Sequence, residues 1–384
     1  MKLQREAWIV FANARLTWMP TRLTWMPNKG LTLLLAVSSL SLTGCGALSV
    51  AVNPRVFFAG PGFISVSRAR APAAAVSVPV SKTQNVLNMA YWQQPGISAE
   101  SVDICPGRES CEKLFFAGEL DQVLQVMDAP SPEAPGASTI RQIRLGKNIT
   151  DLATSRTEDG GYIFASHEYA GGISVISPGS ETVYKFWASP DVPQPNALSV
   201  HKRWGFVLSG STLARFRIDE TSADTMDLGG NPMYLSDGLG GVVGVSDFSA
   251  NLVHLVTTIG VWGDSTVSVP SPAKIVLSQN QNLAFVASVP DTVNGVTPAG
   301  SIYVIDTYAG TVVKSIPVGY CISSLKILLQ TDSSGFELDP TISDESLIVT
   351  NQCSSTFTRI DLSTLAVIGT YPSLGQAHTA AVEP

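Results

Sequence analysis

Ser301-Ile-Tyr-Val-Ile-Asp-Thr-Tyr-Ala-Gly-Thr-Val-Val-Lys-Ser-Ile-Pro-Val-Gly319 holds two runs of β-branched and aromatic residues around the polar turn 306–310. Apolar and polar residues alternate on both sides of the turn, the period of an antiparallel strand pair. Aspartate suits the turn because its carboxylate accepts N–H bonds from residues a little further along the chain. Weaker copies recur. Thr358-Arg-Ile-Asp361 precedes 365–371 and Gly375, Phe216-Arg-Ile-Asp219 precedes 225–229, and Leu124-Gln-Val-Met-Asp128 precedes 139–146. The four aspartates repeat as punctuation, which makes them turn residues rather than catalytic carboxylates. Their spacing fits one or two units of roughly 40–50 residues, the length of a four-stranded propeller repeat.

Segment 301–319 closely resembles a repeat of the YVTN-type, WD40-like β-propeller family, in which a strand ending in Ile-Asp turns into a strand ending in Val-Gly. The resemblance implies an all-β chain folded as a β-propeller. Blades are expected over 86–146, 147–191, 192–230, 231–271, 272–319 and 320–375. Two pieces are left. Residues 54–80 read as three strands (55–59, 63–67 and 74–78), and 376–384 reads as one inner strand. Together they make a seventh blade closed by both parts of the chain, which removes two exposed strand edges. Seven is the count, with six and eight left open because 83–100 fits no strand position cleanly.

Composition agrees with many short strands. Of 384 residues only 14% are charged, while 32 are glycine and 24 proline. Some 340 residues beyond the leader exceed one ordinary core, so a repeat architecture or two domains is needed. Five basic residues (Lys2, Arg5, Arg15, Arg22, Lys29) and one acidic residue (Glu6) precede Cys45. The remainder then carries −11. That balance excludes nucleic acid as an electrostatic partner, and likewise attraction to an anionic bilayer.

The run Leu31–Leu42 follows Lys29 and leads into Leu42-Thr43-Gly44-Cys45. Twelve residues make about 18 Å of helix, short of the ~30 Å hydrocarbon layer. A charged n-region, short apolar run and small-residue site mark a signal peptide. The tetrapeptide resembles the lipobox of bacterial lipoproteins, which implies that Cys45 is acylated and anchors the chain in a bilayer. The block Arg15-Leu-Thr-Trp-Met-Pro20 recurs as Arg22-Leu-Thr-Trp-Met-Pro27, with a proline in each copy that forbids a continuous helix. A start at Met26 restores ordinary signal proportions, so 1–25 is expected to be upstream sequence. The organisation expected is a leader over 1–44, a lipidated tether over 45–53, and one propeller domain over 54–384. Nine residues, 46–54, reach at most about 32 Å, which holds the propeller near the bilayer. Gly46 after the cysteine points, by family resemblance, to the outer membrane where a cell has two.

Four cysteines remain beyond Cys45. In an exported chain an even count suggests two disulfides, although four cysteines allow three pairings. Cys105 and Cys111 would close a hairpin loop. The proposed last blade sets Cys321, at the start of its inner strand, against Cys353, at the end of the next strand. Adjacent strands supply the 4.4–6.8 Å Cα separation a disulfide needs.

Segments leading into inner strands line the channel mouth of a propeller. Here that ring would include Asn148, Asn196, Asn231, Lys274, Tyr320 and His378, a mixed polar set able to hold a small polar ligand or a partner's loop. The histidines His167, His201, His254 and His378 fall in different blades, so no metal site is expected. His378 alone stands where a general base would be useful. Gly238–Gly244 reads as a hairpin turn, and Asp332–Glu345 as a solvated acidic insertion without the EF-hand spacing. Asn148-Ile-Thr150 matches a glycosylation acceptor, which a bacterial lipoprotein makes irrelevant. No nucleophile elbow, phosphate loop or cofactor motif occurs, and no cofactor is expected.

The leading expectation is therefore a non-enzymatic, membrane-anchored, extracytoplasmic module that binds a protein or envelope component. The alternative is a propeller enzyme of lactonase or quinoprotein type acting on a small molecule at the channel mouth. A structural role is a third reading, with loops 107–110, 130–137 and 291–300 making assembly contacts.

Overall fold

The computed structural model describes residues 55–68, 75–78, 86–93, 112–118, 121–130, 139–155, 161–201, 204–237, 241–290, 298–328 and 345–382. The leader, Cys45, the Cys105/Cys111 pair and most of the insertion 332–345 lie outside those residues. So do loop 107–110, nearly all of 130–137 and most of 291–300.

The chain forms seven four-stranded antiparallel sheets, a seven-bladed β-propeller. Strands are numbered β1 to β28 in chain order. Blade 1 takes β1 (Arg55–Gly60), β2 (Phe63–Arg68) and β3 (Val76–Ser77) from the N-terminal side and β28 (Thr379–Val382) from the C-terminal side. Blades 2 to 7 are consecutive, over 86–144, 151–187, 195–227, 234–268, 272–320 and 322–372. The stretch 83–100 supplies the inner strand of blade 2, β4 (Val86–Gln93). Its run Val-Leu-Asn-Met-Ala-Tyr-Trp-Gln lacks clean alternation because both of its faces are covered.

The ring closes through β28, which pairs with β1 in the register Val56↔Val382, Phe57↔Ala381, Phe58↔Ala380 and Ala59↔Thr379. Hydrogen bonds between strands distant in sequence thus replace what would be two bare edges. Blades pack face to face. Between blades 3 and 4 lie Phe164, Ile173, Val175, Leu198, Val207 and Phe216, with the rings of Trp187 and Phe216 4.5 Å apart. Gly205 is opposite Phe216, and a Cβ there would come within 2.2 Å of the phenyl ring.

Turn chemistry explains the repeat. Asp306 ends β22 (Ala299–Asp306), and its Oδ1 accepts from the N–H groups of Tyr308 and Ala309 at 2.9 and 2.8 Å. Asp361 does the same for Ser363 and Thr364. Asp128 and Asp219 differ: they bond the side chains of Arg141 and Arg217 at 2.8 and 3.1 Å. In those hairpins a nearby arginine competes with the backbone for the carboxylate.

Cys321, before β24 (Ile322–Leu328), is disulfide-bonded to Cys353, in the 3-10 turn after β25 (Ser346–Asn351). Their Cα atoms are 5.4 Å apart. The bridge ties the first two strands of blade 7 at the end where the inner strand begins.

Candidate functional site

Strand pairing defines the layers of the central channel. Each second strand presents the residue two before its last to one inner-strand partner. Those partners are Ala380, Met89, Leu152, Leu198, Leu235, Ile275 and Leu325. All seven are apolar and pack between blades. Side chains alternate along a strand, so the residues just before and after this layer turn to the other side. Asp151, Tyr234 and Lys274 stand one position before it, and Ser199, Ser236 and Lys326 one position after. All six are partly exposed although they lie on the innermost strands.

Electrostatics agrees with side chains that share the lumen. Asp151 opens β8 (Asp151–Thr154), Lys274 is in β20 (Pro272–Leu277) and Lys326 in β24. Going round the ring, β8 is three strands from both β20 and β24. Asp151 nonetheless feels the charges of both lysines, so the interaction crosses the lumen.

Burial raises the Asp151 carboxyl above the usual carboxylate range, opposed by the two lysines and by N–H donors. Those donors are Leu198 to Oδ2 and Leu152 to Oδ1, both at 2.9 Å. Burial likewise lowers the pKa of Lys274 and Lys326, and mutual repulsion adds to this for Lys274. The Lys274 Nζ lies 4.1 Å from the ring centroid of Tyr234, which opens β16 (Tyr234–Asp237). Burial first, then Asp151, raises the Tyr234 hydroxyl pKa. Lys274 was legible as a candidate, whereas Asp151, Tyr234 and Lys326 were not. A blade alignment of inner strands is the signal that could have found them.

The other candidates stand at or just before the starts of inner strands, each in its own surroundings. Asn148 binds locally: its Oδ1 accepts from Gln122 at 3.2 Å, and its carbonyl is 2.9 Å from His167 Nδ1. Asn196 sits at the irregular start of β12 (Pro195–His201), its Oδ1 buried without a hydrogen-bond partner among the described residues. Asn231 is exposed and donates its N–H to Asp247 Oδ2 at 2.8 Å. Tyr320 ends β23 (Thr311–Tyr320), an outer strand, and is exposed. His378 lies just before β28, at the face where inner strands begin (the front face), and donates its N–H to Ala59 at 2.8 Å. Its imidazole pKa is lowered by burial, and no described residue orients the ring.

Two other histidines are structural. His167 is fully buried with Nδ1 against Asn148 O and Nε2 2.8 Å from Ser174 Oγ, while His254 Nδ1 pairs with Asp264 at 2.8 Å. The side chain of His201 lies outside the description. Among the described residues no three His, Cys, Asp or Glu side chains converge as metal ligands would.

A second cluster occupies the opposite, back face, where inner strands end. Second strands begin there and third strands end there. Trp204 opens β13 (Trp204–Ser209) and faces Arg217, the last residue of β14 (Thr212–Arg217). The Arg215 guanidinium lies 4.9 Å from the Trp204 ring and 5.4 Å from Trp262 of the next blade. Arg215 also donates to Thr258 O at 3.0 Å, joining blades 4 and 5. Beyond Trp262, the turn between β18 (Leu252–Thr257) and β19 (Gly263–Ser268) projects Ile259 and Val261, 75% and 94% exposed.

No protein-family model and no curated protein matches this chain. Solved structures do. A candidate 6-phosphogluconolactonase from Bacteroides uniformis superposes with TM-score 0.58 at 11% identity, covering 86% of this chain and all of that one. One from Bacteroides fragilis gives 0.58 at 12% identity, covering 88% and 99%. A functionally unknown protein from Desulfotomaculum acetoxidans gives 0.54 at 14%, covering 86% and 99%. At these identities the likeness is one of fold.

Proposed function

We propose that this chain is a lipid-anchored, extracytoplasmic β-propeller that binds a protein partner through the back face of blades 4 and 5. The observation that carries the reading is the Trp204–Arg215–Trp262 ladder with Ile259 and Val261 projecting beside it. Tryptophan and arginine are the residues most enriched at interface hot spots, where a rigid aromatic surface binds at low entropic cost. A propeller suits this work because its closed ring holds the hairpin tips rigidly. Anchoring follows from Leu42-Thr-Gly-Cys45 and its resemblance to a lipobox. Two acyl chains suffice for stable attachment.

Affinity capture of the tagged, lipidated chain from its own membrane tests both parts. The account expects one partner protein that is lost with Trp204→Ala and Val261→Asp and kept with the outer-strand control Val313→Asp. It expects Cys45→Ser to release the chain into the soluble fraction, whereas high salt does not. Capture unaffected by either back-face substitution contradicts the binding surface.

The second reading is a small-molecule enzyme of lactonase or quinoprotein type. The names of two structural neighbours and the position of His378 near the channel mouth favour it. Lactone hydrolysis lost in His378→Ala and retained in Val313→Asp would establish it in place of the first.

A further inference from the structure

We infer that the lumen of the propeller is a binding site for a small oxyanion, the carboxylate or phosphate of a small molecule, held between Lys274 and Lys326. The two lysines stand on neighbouring inner strands, one residue to either side of the apolar layer; alternation turns Lys326 inward, and Lys274, at an irregular point of the register, packs on Tyr234 of the adjacent inner strand. Neither ammonium makes a hydrogen bond or a close salt bridge with a described residue; Lys274 lies over the face of Tyr234. The one described carboxylate in the cluster, Asp151, lies across the lumen, where its two oxygens receive the N–H groups of Leu198 and Leu152.

With both lysines protonated, two ammoniums face one described carboxylate, an excess of positive charge in the lumen. Unpaired charge in such a place is costly and an entering anion relieves it. Lysine suits the task as a compact point charge with three donors. Tyr234, Ser199 and Ser236 stand at the matching positions of neighbouring inner strands, each partly exposed. The site is independent of the back-face surface, and either can fail without the other.

Calorimetric titration of the full chain in detergent with inorganic phosphate, and separately with malonate, tests this. Saturable binding of at least one, with no such signal from chloride at matched ionic strength, is the expected result. The preferred anion then tells phosphate from carboxylate. Lys274→Met and Lys326→Met should each weaken binding tenfold or more, while Lys314→Met, on an outer strand, should not. Asp151→Asn should tighten binding severalfold by removing a like charge. Should a lysine variant fail to fold, thermal unfolding of the unaltered chain still decides: the bound anion must raise Tm beyond the effect of chloride. Absence of saturable binding by both anions, or equal binding by the Lys274→Met/Lys326→Met double variant, overturns the site.

Discussion

Arg215 reaches across a blade boundary to the Thr258 carbonyl at 3.0 Å, with its guanidinium over the indoles of both Trp204 and Trp262. Asp224 fixes the same guanidinium from the side. The ladder is therefore preorganised before any partner arrives, which lowers the entropic cost of association. Trp204→Ala should weaken partner binding by about 2 kcal/mol or more, the hot-spot range. Surface plasmon resonance against the captured partner would measure it, with near-UV circular dichroism showing the fold intact.

Glu181 holds a left-handed backbone, φ 54°, a conformation that favours glycine. Its carboxylate explains why glutamate stands there. It lies 2.9 Å from the Lys113 ammonium, only 1% exposed on the neighbouring blade, and 2.9 Å from Arg141. Burial opposes its charge, yet those two partners hold its carboxyl below the usual range. Glu181→Gly relieves the backbone but leaves buried Lys113 on the Pro178 and Gly179 carbonyls without its carboxylate, so it should destabilise by about 1–3 kcal/mol, less than the ~3–5 of a plain broken buried pair. Urea unfolding reports the sign, and a stabilised variant would refute the ion-pair account.

The disulfide closes a loop across 32 positions within blade 7. Loop entropy on that scale amounts to about 3–4 kcal/mol. Cys321→Ser/Cys353→Ser should lower Tm under oxidising conditions and abolish the response of unfolding to a reductant, apart from any effect of Cys105 and Cys111. The matching Cys105→Ser/Cys111→Ser variant isolates that contribution.

His167 supplies a pH dependence. Burial, and then Lys147, depress its pKa below the ordinary 6.5, against the opposing bond to Asn148 O. The folded state binds fewer protons there than the unfolded state, so its stability is fully present above pH 6.5. It is lost as pH falls below that value through the folded pKa. His167→Gln should unfold with a shallower loss of Tm between pH 7 and pH 5. Equal slopes would show that another group governs acid sensitivity.

Residues local in sequence were readable. Asp306 and Asp361 announced their turns because a carboxylate that caps a hairpin acts within three positions of itself. Cys321 and Cys353 could be paired because both lie in one repeat. The seven-blade count and the closure by β28 followed from the same repeat length. The lumen and the back-face ladder were hidden for the opposite reason. Asp151, Lys274 and Lys326 belong to three blades, and only the ring brings them to one space. Trp204 and Trp262 meet through Arg215 across two blades, and each alone reads as an unremarkable aromatic in a strand or turn. Asn148 drew notice as a polar residue before an inner strand but is taken up by Gln122 and His167.

Site-specific photocrosslinking in intact cells tests the central claim most directly. A photoreactive side chain at Val261, on the projecting back-face turn, should yield one discrete adduct with a partner protein. The same group at Val313, half exposed on an outer strand, should yield none. Matching adducts at both positions, or none at Val261, would contradict a binding surface on the back face of blades 4 and 5.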